Sequence, residues 1–172
     1  MDTDLERDQD EPGILRSRAY FNSLIKEEIN KGIKPSRIVL GGFSQGGCMS
    51  IFTGITQNQK LGGIFGLSCY LLLGPKIQGL IPENFPNKQT PFFIAHGTDD
   101  EVVQHKFGEI SAERLKAMDV PVEFHSYPWV AASVFLSYFF FCSSSSNGGS
   151  NILIHLLIAN LDIPPIHSRF RI

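Results

Sequence analysis

The chain has 172 residues, which allows one domain of ordinary size and leaves no room for a second. Apolar residues make up 42%, aromatics 11% and charged residues 19%, enough to build a core and to exclude disorder as the overall class. A formal net charge of −2 lacks the basic footprint of a nucleic-acid binder, so no nucleic-acid partner is expected and a small-molecule or acyl substrate is favoured. Cys48, Cys69 and Cys142 form no Cys-x-x-Cys pair and cannot all be bridged to one another, which predicts a reducing compartment. The start, Met1-Asp-Thr-Asp-Leu-Glu-Arg-Asp8, is acidic and has no apolar core, so no signal peptide is expected.

In chain order, Pro12 and Gly13 open a segment in which Ile14, Phe21, Leu24, Ile25 and Ile29 share one helical face, with Gly32 placed as a C-terminal cap. Arg37-Ile-Val-Leu-Gly41 reads as a short apolar strand, followed by a Gly/Ser stretch and a helix at Cys48–Phe52. Gly63–Cys69 and Pro91–His96 are the next strands, residues 103–118 an amphipathic helix, and Val122–Tyr127 a closing strand. Apolar strands alternating with helices predict an α/β fold with a mostly parallel sheet covered on both faces.

Composition breaks after residue 128. Of the 32 charged residues only Asp162, Arg169 and Arg171 lie among the last 44. The run Trp129–Phe141 is too short to span a membrane, which takes about 20 apolar residues. A Ser/Gly stretch at 143–150, the run Ile152–Ile158 and Pro164-Pro165 follow, with no caps or charge pairs to organise them. Two parts are therefore expected: a folded domain over 1–128, and an atypical tail over 129–172 that was never shaped to pack on it. A terminal membrane anchor is the alternative for the tail.

The chemistry is expected at the junction after Leu40, where Gly41-Gly-Phe-Ser-Gln-Gly-Gly47 contains Gly42-x-Ser44-x-Gly46. A strand before and a helix after give that short pattern the context of a nucleophile elbow, a turn so tight that Gly42 and Gly46 avoid collision with their neighbours. Ser44 would project from the carboxyl edge of the sheet, where open α/β folds bind ligands. The Gln45 N–H, at the helix start, would be one oxyanion donor. A serine needs a base and an orienting carboxylate, in the chain order Ser, Asp, His. Either Asp99 or Asp100 in Gly97-Thr-Asp-Asp-Glu-Val-Val103 could supply the carboxylate; the alternative is that these acids cap the next helix.

Together, Val39-Leu-Gly-Gly-Phe-Ser-Gln-Gly-Gly47, Ala95-His-Gly-Thr-Asp-Asp-Glu-Val-Val103 and Pro121-Val-Glu-Phe-His-Ser-Tyr127 closely resemble the acyl-protein thioesterase and lysophospholipase-like carboxylesterase family, over about residues 4–127. The resemblance implies an α/β-hydrolase fold, no metal and no cofactor. It implies removal of palmitoyl groups from protein cysteines, with lysophospholipids or simple carboxylic esters as side substrates. S-acylated proteins or acyl esters would be the partners, and membrane contact would be transient, through the substrate. The address implied is the cytoplasm, with the nucleus as a second compartment. Within the family's His-Gly-x-x-Asp pattern the triad acid falls on Asp100.

Two parts of that pattern are absent. The chain begins just before the helix that precedes the nucleophile strand, so the family's first strands and second oxyanion loop are missing and a bare sheet edge is expected. The family's catalytic histidine, in a Gly-His-Ser context soon after the last strand, is replaced by Tyr127-Pro-Trp-Val130. His96 belongs to the acid loop's own motif, and His105 and His125 precede the required point. His155 and His167 remain as weak stand-ins. The chain is accordingly expected to be an impaired hydrolase; the alternative is a non-catalytic pseudoenzyme or interaction fragment. Leu71–Leu73 with Leu80-Ile81 could line an acyl channel, though core packing is the better reading.

Overall fold

The computed structural model describes residues 9–128 with their side chains and the backbone of 153–157. Helix α1 spans Glu11–Asn30, with the Asp10 carboxylate accepting the Gly13 N–H at 3.1 Å as the N-terminal cap. Its face of Ile14, Phe21 and Ile25 is buried, as the spacing predicts. At the other end Gly32 takes φ +92°; its N–H bonds the Ile29 carbonyl at 2.9 Å and the Ile33 N–H bonds that of Glu28 at 3.1 Å. That pair of bonds is a Schellman cap, which needs a residue free to adopt positive φ.

Strand β1 (Ile38–Phe43) runs directly into helix α2 (Gln45–Ile55) through Ser44. Strands β2 (Gly63–Leu67) and β3 (Phe92–Gly97), helix α3 (His105–Ala117) and strand β4 (Val122–Tyr127) follow. Every neighbouring pair in the sheet β4-β3-β2-β1-β5 is parallel. Parallel pairing aligns the carboxyl ends of β1, β2 and β3 on one edge. Helix α2 is longer than the Cys48–Phe52 read from sequence, and every residue from Gly46 to Ile55 is buried. Its glycines and threonine are poor helix formers; burial against β1, β2 and α1 holds it. Leu71, Leu72 and Leu73 lie in the same core, with Leu80 and Ile81 packed against it, in line with core packing rather than a channel.

Strand β5 (Leu153–Leu157) pairs with β1 from Ile38 opposite Leu153 to Gly42 opposite Leu157. The β1 edge expected to be bare is therefore covered, because an apolar extended run can satisfy the unpaired N–H and C=O groups that such an edge presents. Residues 153–157, assigned by sequence to a tail apart from the domain, join the sheet. The Trp129–Phe141 run, the Ser/Gly stretch and His167 lie outside the described residues.

Candidate active site

Ser44 occupies φ 51°, ψ −124°, a region that side-chain-bearing residues enter only at a cost of about 1–3 kcal/mol. Two bonds hold it there: its N–H donates to the Leu67 carbonyl of β2 at 2.8 Å, and its own carbonyl accepts the Cys48 N–H at 2.9 Å in the first turn of α2. Its side chain makes no capping bond and is half-buried, so the hydroxyl stands at the carboxyl edge of the sheet. Gln45 opens α2, where backbone N–H groups have no intrahelical acceptor and carry the positive end of the helix dipole.

Gly42 and Gly46 are both buried in this turn, and Gly42 pairs with Gly66 of β2. A close crossing that sequence reading missed is at Gly47. A Cβ there would lie 2.8 Å from the Gly42 carbonyl oxygen and 3.0 Å from Cys69 Cβ; the signal was present as the Gly46-Gly47 doublet. Because a backbone oxygen cannot step aside, Gly47→Ala should destabilise the chain by about 1–3 kcal/mol, read as a lower midpoint in urea unfolding.

The two adjacent aspartates, of which the family pattern favours Asp100, part company in the structure. Asp99 is exposed and accepts the Thr98 hydroxyl at 2.9 Å. Asp100 is 4% exposed; its Oδ1 accepts the N–H groups of Val102 at 3.0 Å and Val103 at 2.9 Å. Its Oδ2 is buried and has no hydrogen-bond partner among the described residues. Helix α3 starts later, at His105, and its N-cap Gln104 makes no side-chain cap, so Asp100 closes its own loop and does not cap the helix. Asp100 follows β3 and Ser44 follows β1, with β2 between them. Two strand spacings put the loops roughly 10 Å apart, a gap suited to one intervening side chain.

The described histidines are engaged elsewhere. His96 is fully buried with Nε2 at 2.7 Å from the Val103 carbonyl oxygen; burial pushes its pKa below the ordinary value, against the raising influence of that carbonyl and of Asp100. His105 Nε2 meets Ser126 Oγ at 2.8 Å, and His125 stacks on Phe93. The backbone of His155 lies opposite Leu40, four residues before Ser44. Behind the elbow, Cys48 and Cys69 are free and buried. The Tyr70 N–H donates to Cys48 Sγ at 3.4 Å, and a hydrogen bond to Cys48, with burial, drives the Cys69 thiol pKa up. Among the described residues no group of three or more His, Cys, Asp or Glu could hold a metal ion, and no helix is long and apolar enough to cross a membrane.

Residues 1–139 match the family model described as phospholipase/carboxylesterase. Over 128 residues the chain is 63% identical to acyl-protein thioesterase 1 of Emericella nidulans, covering 74% of this chain and 54% of that protein. The protein of the same name from Aspergillus fumigatus is 64% identical over 123 residues, 71% of this chain and 51% of its own length. The chain thus spans about half the length of the curated relatives it matches. Among solved structures, Arabidopsis thaliana SOBER1 superposes with a TM-score of 0.71 at 29% identity, over 80% of this chain and 64% of that one. A match running through four-fifths of its length, on a parallel sheet that turns sharply at Ser44, makes this chain a member of the phospholipase/carboxylesterase family of α/β-hydrolases.

Proposed function

We propose that this chain carries the nucleophile and the acid of a serine hydrolase of the acyl-protein thioesterase type. Its substrates are palmitoyl thioesters on protein cysteines, with lysophospholipids or simple carboxylic esters beside them. The strongest support is Ser44 held at positive φ on the sheet edge, with the bare, buried Oδ2 of Asp100 two strands away. In the reaction, a base takes the Ser44 proton as Oγ attacks the acyl carbonyl, and the Gln45 N–H receives the oxyanion. The base returns the proton to the departing thiolate, and water then cleaves acyl-Ser44 by the same route. Asp100 Oδ2 is placed to accept an imidazole N–H and so to orient that base. Gly42 and Gly46 leave room for the turn.

His96 is committed to Val103 and His105 to Ser126, so the described residues leave that base unfilled. His155 and His167 are the weak stand-ins within the chain. Removal of a triad histidine costs on the order of 10⁶ in kcat in a serine protease, and turnover by this chain is therefore expected to be low. The unfilled base position favours a second reading, a non-catalytic fragment that keeps the acyl-binding surface and not turnover. The proposed address is the cytoplasm, with the nucleus as a second compartment. S-acylated proteins are the proposed partners, met at the membrane only transiently.

Fluorophosphonate labelling of the purified 172-residue chain, mapped by mass spectrometry, separates these readings. Labelling that disappears in Ser44→Ala supports an activated nucleophile and makes His155 and His167 the next substitutions. A folded chain that does not label at all overturns it and leaves the non-catalytic fragment.

A further inference from the structure

His96 is the penultimate residue of β3 and its ring is wholly buried, yet it is four residues from the proposed acid and nothing in the reaction above uses it. Its Nε2 lies 2.7 Å from the Val103 carbonyl oxygen. A carbonyl only accepts, so Nε2 must carry the proton, and the neutral ring is the Nε2–H tautomer. The other nitrogen, Nδ1, is buried without a hydrogen-bond partner among the described residues and faces Gly108 of α3, where any Cβ would collide with it.

The consequence falls on the loop. The Val103 peptide groups are held from two sides: its N–H by Asp100 Oδ1 at 2.9 Å and its carbonyl by His96. Oδ1 also takes the Val102 N–H, so the loop's own amides use one carboxylate oxygen fully. The other, Oδ2, sits 3.5 Å from His96 Nε2. That is too far for a hydrogen bond, and the Nε2 proton is already directed at Val103. Further along, the Thr98 N–H donates to the Tyr127 carbonyl at 3.0 Å, tying the same loop to β4.

We propose that His96 is a positioning residue for Asp100: by holding the Val103 carbonyl it fixes the 98–103 loop, so that Oδ1 is spent on loop amides and Oδ2 is kept bare for the base. The proposal deepens the serine-hydrolase reading and takes from it the role of Asp100. Burial, which holds the imidazole neutral against the pull of the Asp100 carboxylate, agrees with it. Glutamine can place an amide N–H where Nε2 stands, whereas the shorter asparagine amide reaches only the position of Nδ1. His96→Gln should therefore keep the brace and His96→Asn should lose it.

The experiment is amide hydrogen exchange at Val102 and Val103 in the 172-residue chain, with fluorophosphonate labelling of Ser44 on the same samples. In His96→Asn both amides should exchange about tenfold faster, the equivalent of one lost hydrogen bond, and Ser44 labelling should slow. His96→Gln should restore both. Equal protection in the Asn and Gln variants overturns the proposal. Should His96→Asn fail to fold, long-range ¹⁵N–¹H spectra of the unsubstituted chain decide: an Nε2–H signature supports the brace, and an Nδ1–H signature overturns it. If Ser44 never labels while the exchange pattern appears as described, the hydrolase reading falls and the brace stands.

Discussion

Ser44→Gly should raise the stability of the chain by about 1 kcal/mol while removing every trace of fluorophosphonate labelling. At φ 51°, ψ −124° a serine bears strain of about 1–3 kcal/mol. Glycine enters that region without steric cost but loses roughly 0.5–1 kcal/mol in chain entropy on folding. Nothing is given up at the helix start, since the Ser44 side chain makes no capping bond. The Leu67 and Cys48 bonds that hold the turn run through the backbone and survive. Urea unfolding of the two chains reads the stability difference, and a destabilised Ser44→Gly variant would mean that the turn is not strained. The result would also bear on function, because strain retained at one serine is what a site selected for reactivity carries.

Phe52→Ala should lower stability by about 3–5 kcal/mol, the usual cost of emptying an aromatic site in a close-packed core. Phe52 is wholly buried in the last part of α2, between the sheet and α1. The Arg18 guanidinium of α1 lies 6.0 Å from its ring centroid, so truncation loosens that helix as well as the sheet. Domains of this size are stable by roughly 5–15 kcal/mol. The loss is thus a large share of the total, and thermal unfolding followed by circular dichroism measures it as a lower midpoint. A loss below about 1 kcal/mol would mean that α2 is not packed as described.

Much of the site could be read from sequence because its signals are local. The strand before Ser44, the glycines around it and the helix after it are consecutive residues, and the turn they form has one geometry. The boundary errors have a common cause: Gly46, Gly47, Thr53 and Gly54 argue against a helix by propensity, and burial on all sides of α2 overrides them. What sequence left open depends on contacts across the chain. Asp99 and Asp100 differ in sequence only by their place in the family pattern, which points to Asp100; the physical difference lies in the loop bonds to Val102 and Val103, which bury Asp100 and leave Asp99 exposed. Cys48 and Cys69 are brought together where α2 passes the segment that follows β2. The run at 153–157 has no alternating pattern to announce a strand, and its place is set by the vacancy beside β1.

That last pairing differs in kind from the others. Ile38 and Leu153 are 115 positions apart, whereas β1 meets β2 across a gap of about 24 positions, Val39 opposite Gly63. Closing a longer loop costs more chain entropy before any contact repays it, and such long-range pairings form late. The expected order of assembly is therefore β1 to β4 with their helices first and β5 last, which pulsed hydrogen exchange during refolding would read. Without β5 the outer edge of β1, the strand that leads into Ser44, would lie open. An uncovered strand edge is a template for pairing with another chain, so β5 shields the side of the sheet next to the nucleophile turn, while β4 forms the opposite edge.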